Sequence, residues 1–104
     1  MTAVRLCALE DLAHGEARRF DVAGHRLAVV RIEADVYVIG DRCSHADVSL
    51  SEGEVDADER TLECWKHGST FSLLDGHPTS LPATKPVPVY GVRVVDGEVE
   101  VEVS

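Results

Sequence analysis

The sequence predicts an all-β protein. Valine, a β-branched residue suited to a pleated, half-buried surface, occurs sixteen times in 104 residues. Turn signals built from Gly, Pro and Asp recur at short intervals, among them Asp75-Gly76 and Asp96-Gly97. The last segment, Glu98 to Val103, alternates Glu and Val without exception, as a strand with one wet and one buried face does. A chain of this length makes one domain with a modest core. No helix of normal length is required anywhere, no period repeats, and no linker divides it.

Taken in order, Ala3 to Leu9 reads as a first strand, followed by a polar link from Asp11 to Gly15. Ala17 to Val22 and His25 to Glu33 are the next two strands, joined through Ala23-Gly24. Within the second, Ala28, Val30 and Ile32 share one face, while Leu27 and Val29 lie on the other with Arg31 and Glu33. That pattern describes a largely buried strand with a polar end. Glu33-Ala34-Asp35 then turns the chain into Val36 to Ile39, a short apolar strand. Ala46 to Glu63 carries a turn at Glu52-Gly53-Glu54 and a run of acids: Glu52, Glu54, Asp56, Asp58, Glu59 and Glu63, against Arg60 alone. Such a run reads as a solvated loop, with a docking patch as the competing reading.

Thr61 to Trp65 and Ser69 to Leu74 are two further strands, the second ending at Asp75-Gly76. Prolines 78, 82, 86 and 88 exclude both helix and central strand, so this stretch is expected to be a stiff surface loop. Val89 to Val95, Asp96-Gly97 and Glu98 to Val103 close the chain as a hairpin.

The formal net charge of −9 argues against nucleic acid as a partner, because phosphates would repel such a surface. It fits docking on basic patches of partner proteins, or serves solubility alone. No leader or apolar run of membrane-spanning length is visible, so the expected location is cytoplasmic, with no membrane partner. Three cysteines exclude a disulfide framework. Cys7 stands apart in an apolar stretch and reads as a small buried hydrophobe.

The other two cysteines carry the chemistry. Cys43-Ser44-His45 is followed, after eighteen intervening residues, by Cys64-Trp65-Lys66-His67. Each half offers one thiolate and one imidazole. Cys-x-His suits an extended loop, in which residues two apart point the same way, and Cys-x-x-His suits a tight turn. Two such loops set tip to tip would enclose a metal centre. Gly68 follows directly, where a turn often needs a positive φ. Zinc accepts two cysteines and two histidines as well, although its common modules pair Cys with Cys and His with His.

The alternating order resembles the ligand signature of Rieske-type [2Fe–2S] proteins. The resemblance implies one [2Fe–2S] cluster, with Cys43 and Cys64 on the buried iron and His45 and His67 on the iron nearer solvent. The strand–turn–strand approach to Cys43 is a second point of likeness. The family's architecture implies stacked antiparallel sheets as a base, about residues 1–40 and 82–104, with an inserted cluster-binding lobe over about 41–81. A proline-containing third loop covers the cluster in this family, and Leu81-Pro82-Ala83 is the matching place. High-potential members add a disulfide between the ligand loops, and a serine and a tyrosine that donate to sulfur. Here Ser69 matches the serine, Phe71 replaces the tyrosine and the extra cysteines are missing. A potential in the lower part of the range of roughly −150 to +300 mV is therefore expected. For Trp65, shielding the cluster competes with packing in the core, and core packing is expected. Lys66 is expected in solvent, and His25 and His77 are expected exposed and unliganded.

Within the family, the short chain is most similar to the soluble, oxygenase-associated ferredoxins. That implies a one-electron carrier between a flavin-dependent ferredoxin reductase and a terminal oxygenase or similar acceptor, and not an enzyme by itself. Three rivals stand beside it: an accessory protein of iron–sulfur cluster assembly, a zinc-stabilised binding module, and the small subunit of a nitrite reductase.

Overall fold

Short strands joined by tight turns are what these turn signals produce. The computed structural model describes residues 2–43, 48–66, 68–79 and 85–103. Its strands are β1 (Thr2–Ala8), β2 (Glu16–Val22), β3 (His25–Ile32), β4 (Asp35–Gly40) and β5 (Val55–Asp56). They continue with β6 (Thr61–Glu63), β7 (Thr70–Ser72), β8 (Val89–Tyr90), β9 (Val92–Val95) and β10 (Glu98–Val103). Among the described residues, helix is limited to two single 3-10 turns, Leu9–Asp11 and Leu50–Glu52. The strands form three antiparallel sheets in the orders β1-β10-β9, β2-β3-β4-β8 and β5-β6-β7. The fold is all-β, as expected.

Two hairpins set the register. Ala23 and Gly24 have φ of 50° and 82°, and Asp96 and Gly97 have φ of 51° and 77°. A two-residue loop with both φ values positive matches the natural twist of its strands. It leaves Val22 opposite His25 and Val95 opposite Glu98.

The alternation read from β3 then decides how the sheets stack. Leu27 and Val29 join Val36, Val38, Val99, Val101 and Val103 in one core, between the β2-β3-β4-β8 and β1-β10-β9 sheets. Ala28, Val30 and Ile32 point the other way, into a second core with Ile39, Leu50, Leu62, Phe71 and Leu73. The middle sheet is thus covered on both faces. Arg31 resolves the polar end of β3 by donating to three backbone carbonyls, those of Leu9, Leu12 and Glu33.

Several expectations need correction. Val89 to Val95 is not one strand: β8 pairs with β4 and β9 with β10, and the chain changes sheets at Gly91. The acidic segment is not all loop, because Val55 and Asp56 pair with Leu62 and Thr61. Glu52, Glu54, Asp56, Asp58 and Glu59 are nevertheless exposed, and Asp56 caps the following turn by accepting from the Asp58 and Glu59 N–H groups. The proline-rich stretch is not wholly a surface loop either. Val87 is buried, and the Pro88 carbonyl accepts from the Gly40 N–H at 2.8 Å, which ties this stretch to the end of β4. Leu81-Pro82-Ala83, the expected cover, lies outside the described residues.

Leu27 is fully buried in the core between two sheets, so truncating it leaves a cavity there. Leu27→Ala is expected to cost about 2–5 kcal/mol, read from urea denaturation of the folded protein.

Candidate metal centre

Two strand ends deliver the two motif cysteines into the same apolar layer. β4 runs into Cys43, and β6 runs directly into Cys64. Cys43 is 2 % exposed and Cys64 0 %, and both belong to the core that holds Leu50, Leu62 and Phe71. The two loops close alike. The Cys43 N–H donates to the Val48 carbonyl at 3.1 Å, and the Cys64 N–H to the Ser69 carbonyl at 2.6 Å, five residues on in each case. The second loop is tightened further by the Gly68 N–H, which donates to the Cys64 carbonyl at 2.9 Å. Gly68 has φ of 75°, the left-handed conformation anticipated for it. His45 and His67, the two imidazoles of the motif, lie outside the described residues, as does Pro82.

The remaining expected neighbours divide. Ser69 is fully buried beside Cys64, and Phe71 packs in the same core. Trp65 is 53 % exposed, which overturns the expectation of core packing. The reason is local: Cys64 is held inward, and the turn that follows it aims Trp65 and Lys66 at solvent. His25 is half-buried, not exposed, with its ring edge-on to Tyr90 at 5.6 Å between centroids. His77 is exposed, and its backbone N–H donates to Asp75 at 2.9 Å and holds that carboxyl below the usual range. His14 accepts from the Glu33 N–H at 2.7 Å. Cys7 is buried in the other core, as expected of a small hydrophobe, and that burial pushes its thiol up.

Sequence reasoning passed over two residues that shape the loops. Asp41, two residues before Cys43, is fully buried and hydrogen-bonded across the first loop to Ser49 and Ser51 beyond it. Nothing in a sequence distinguishes such an aspartate from a solvated one. Gly53 looked like an ordinary turn glycine. In fact a Cβ there would lie 1.6 Å from the Glu63 carbonyl oxygen, so the backbone before Cys64 packs directly on it.

Comparison with known proteins decides between zinc and iron–sulfur. The Rieske [2Fe-2S] domain family matches residues 2–91. The 3-phenylpropionate/cinnamic acid dioxygenase ferredoxin subunit of Escherichia coli K12 is 36% identical over 102 residues, 98% of this chain and 94% of that subunit. The chain belongs to the Rieske [2Fe–2S] family. Among solved structures, the ferredoxin of carbazole 1,9a-dioxygenase from Nocardioides aromaticivorans IC177 superposes with a TM-score of 0.94 at 39% identity, over 97% of each chain. A chain from the complex of reduced oxygenase and oxidized ferredoxin of carbazole 1,9a-dioxygenase gives 0.88 at 39% identity, over 95% of this chain and 100% of that one. This Rieske protein is a ferredoxin, an electron carrier and not an enzyme by itself, and its cofactor is a Rieske-type [2Fe–2S] cluster. The donor set fits that group: two thiols in one dry layer, each opening a closed loop that contains a histidine. Among the described residues, no helix is long and apolar enough to cross a membrane.

Gly53→Ala is expected to push the end of β6 away from its place and to cost about 1–3 kcal/mol, seen as a lower melting temperature. Because Cys64 follows that strand directly, the iron-to-protein ratio of the purified variant should fall as well.

Proposed function

We propose that this ferredoxin takes single electrons from a flavin-dependent reductase and passes them to a terminal oxygenase, in the cytoplasm. The observation that supports this best is the pair of buried cysteines at the heads of two similarly closed loops, in a chain similar along nearly its whole length to dioxygenase ferredoxin subunits. Cys43 and Cys64 would hold the inner iron, and His45 and His67 the outer one. When bound, the cluster supplies a one-electron redox couple.

The chain's own residues do the rest. Burial of both thiols with Leu50, Leu62 and Phe71 excludes water from the inner side, which favours retention of the cluster and limits reorganisation. Ser69, buried one residue past the second loop's glycine, is part of the cluster surroundings; Pro82 is assigned there on the family resemblance alone. Phe71 offers no hydroxyl where a tyrosine would donate to sulfur, which keeps the potential in the lower part of the family's range. Trp65 and Lys66 present an apolar ring and a cation on the outer side of the second loop, where an electron-transfer partner would dock. The acidic surface, −9 overall, suits partners with basic patches. One domain spans the chain, with the base at residues 1–40 and 82–104 and the cluster-binding lobe at about 41–81.

Anaerobically purified, dithionite-reduced protein should give a rhombic EPR signal whose average g lies below the free-electron value. Colourless, EPR-silent, zinc-containing protein would refute this reading. Cys43→Ser and Cys64→Ser should each abolish the visible chromophore, whereas Cys7→Ala should leave it unchanged.

A further inference from the structure

A carboxylate in a water-free place is costly unless charges and donors around it compensate. Asp41 is such a group, with a side chain 0 % exposed. Four neighbours compensate it. The Ser49 hydroxyl donates to Oδ2, and the Ser51 backbone N–H donates to Oδ1 at 2.9 Å. The guanidinium groups of Arg19 and Arg26 approach Oδ2 at 3.8 and 3.9 Å. The main chain of Asp41 works in the same sense. Its N–H donates to the Arg26 carbonyl of β3 at 3.0 Å, and its carbonyl accepts from the Leu50 N–H at 2.6 Å.

These contacts have one geometric consequence. Asp41 stands just before the first loop, and Ser49, Leu50 and Ser51 stand just after it. A single residue therefore joins the two ends of the segment carrying Cys43 and His45. It also fastens both ends to the β2–β3 hairpin through Arg19 and Arg26. Among the described residues, the second loop is closed by the Gly68 and Cys64–Ser69 hydrogen bonds.

We propose that Asp41 is the positioning residue of the first ligand loop: its buried carboxylate clamps Ser49 and Ser51 to Arg19 and Arg26, holds Cys43 in register with Cys64, and sets the charge behind the cluster. The proposal rests on the reading of Cys43 and His45 as ligands. Removing the carboxylate would do two separable things. Without an acceptor, the Ser51 N–H loses its partner and the loop's far end keeps only its main-chain ties. Without the negative charge, Arg26 loses this counter-charge and Arg19 keeps only its pair with Asp21, so the surroundings of Asp41, two residues from Cys43, become more positive and addition of an electron becomes easier.

Two substitutions separate these effects. Asp41→Asn keeps the shape and an acceptor for the Ser51 N–H but removes the charge; Asp41→Ala removes both. Val101→Ala, in the opposite core, serves as a control that lowers global stability without touching the loop. The measurements on reduced holoprotein are iron release to a ferrous chelator, the EPR line shape and the midpoint potential. Asp41→Ala should release iron about tenfold faster than the parent protein and broaden the EPR signal. Val101→Ala should do neither, although its melting temperature falls. Asp41→Asn should hold iron as the parent does, with its midpoint potential moved in the positive direction.

Iron release and line shape in Asp41→Ala that match those of Val101→Ala would overturn the clamp. An unmoved potential in Asp41→Asn would overturn the electrostatic role. Should Asp41→Ala fail to accumulate as folded protein, Ser49→Ala removes one donor of the same clamp; faster release supports the proposal and parent-like release overturns it. Cys43→Ser tests the underlying assignment separately, because a cluster retained in that variant refutes the ligand reading whatever Asp41 does.

Discussion

Because β3 and β4 bury side chains on both faces, the middle sheet has to be covered twice, and that requirement places everything else. One cover is the β1-β10-β9 sheet, whose alternating Glu and Val residues supply an apolar inner face. The other is the β5-β6-β7 sheet with Leu50, and it is in this second layer that both motif cysteines lie. A metal centre held by those cysteines would not be an appendage on a finished domain. Its thiols are core residues, so holding the cluster and packing the core draw on the same side chains.

That sharing explains why the two ligand loops are so short and so firmly closed. A loop that opens on a thiol held in the core must reverse direction within a few residues while that first residue stays buried. Both loops meet this demand with the same hydrogen bond, from the cysteine N–H to the carbonyl five residues on. Side chains in the middle of the reversal are then forced outward, and Trp65 follows that rule against its own hydrophobicity. An exposed tryptophan in a loop that ends at a histidine is more useful for meeting another protein than for packing its own.

Much of this was legible in the sequence, because period-two alternation and turn pairs are local signals. β2, β3, β4 and β10 fall within a residue or two of where alternation puts them, and Ala23-Gly24 and Asp96-Gly97 join the strands expected on either side of them. The motif cysteines likewise announce themselves by spacing. What escaped the sequence depended on contacts between distant segments. Val89 to Val95 is uniformly strand-like, and only the competition between β4 and β10 for partners divides it at Gly91. Val87 is buried among prolines because the chain returns to Gly40 and Gly76 there. Asp41 and Gly53 carry no local mark at all: one is defined by arginines more than ten residues away, the other by the backbone of Glu63.

The two loops also show how a cluster site is held when no disulfide bridges them. All three cysteines are free thiols in this structure, so neither loop is covalently fastened to the other. The second loop relies on backbone geometry, a left-handed glycine and a strand packed against Gly53. The first relies on charge, a buried carboxylate shared by two serine-containing positions and two arginines. Backbone closure is indifferent to the electrostatic state of the site, whereas a buried carboxylate contributes a fixed field to it. The asymmetry therefore joins mechanical support and redox tuning in one loop and leaves the other to provide shape and the surface that a partner meets.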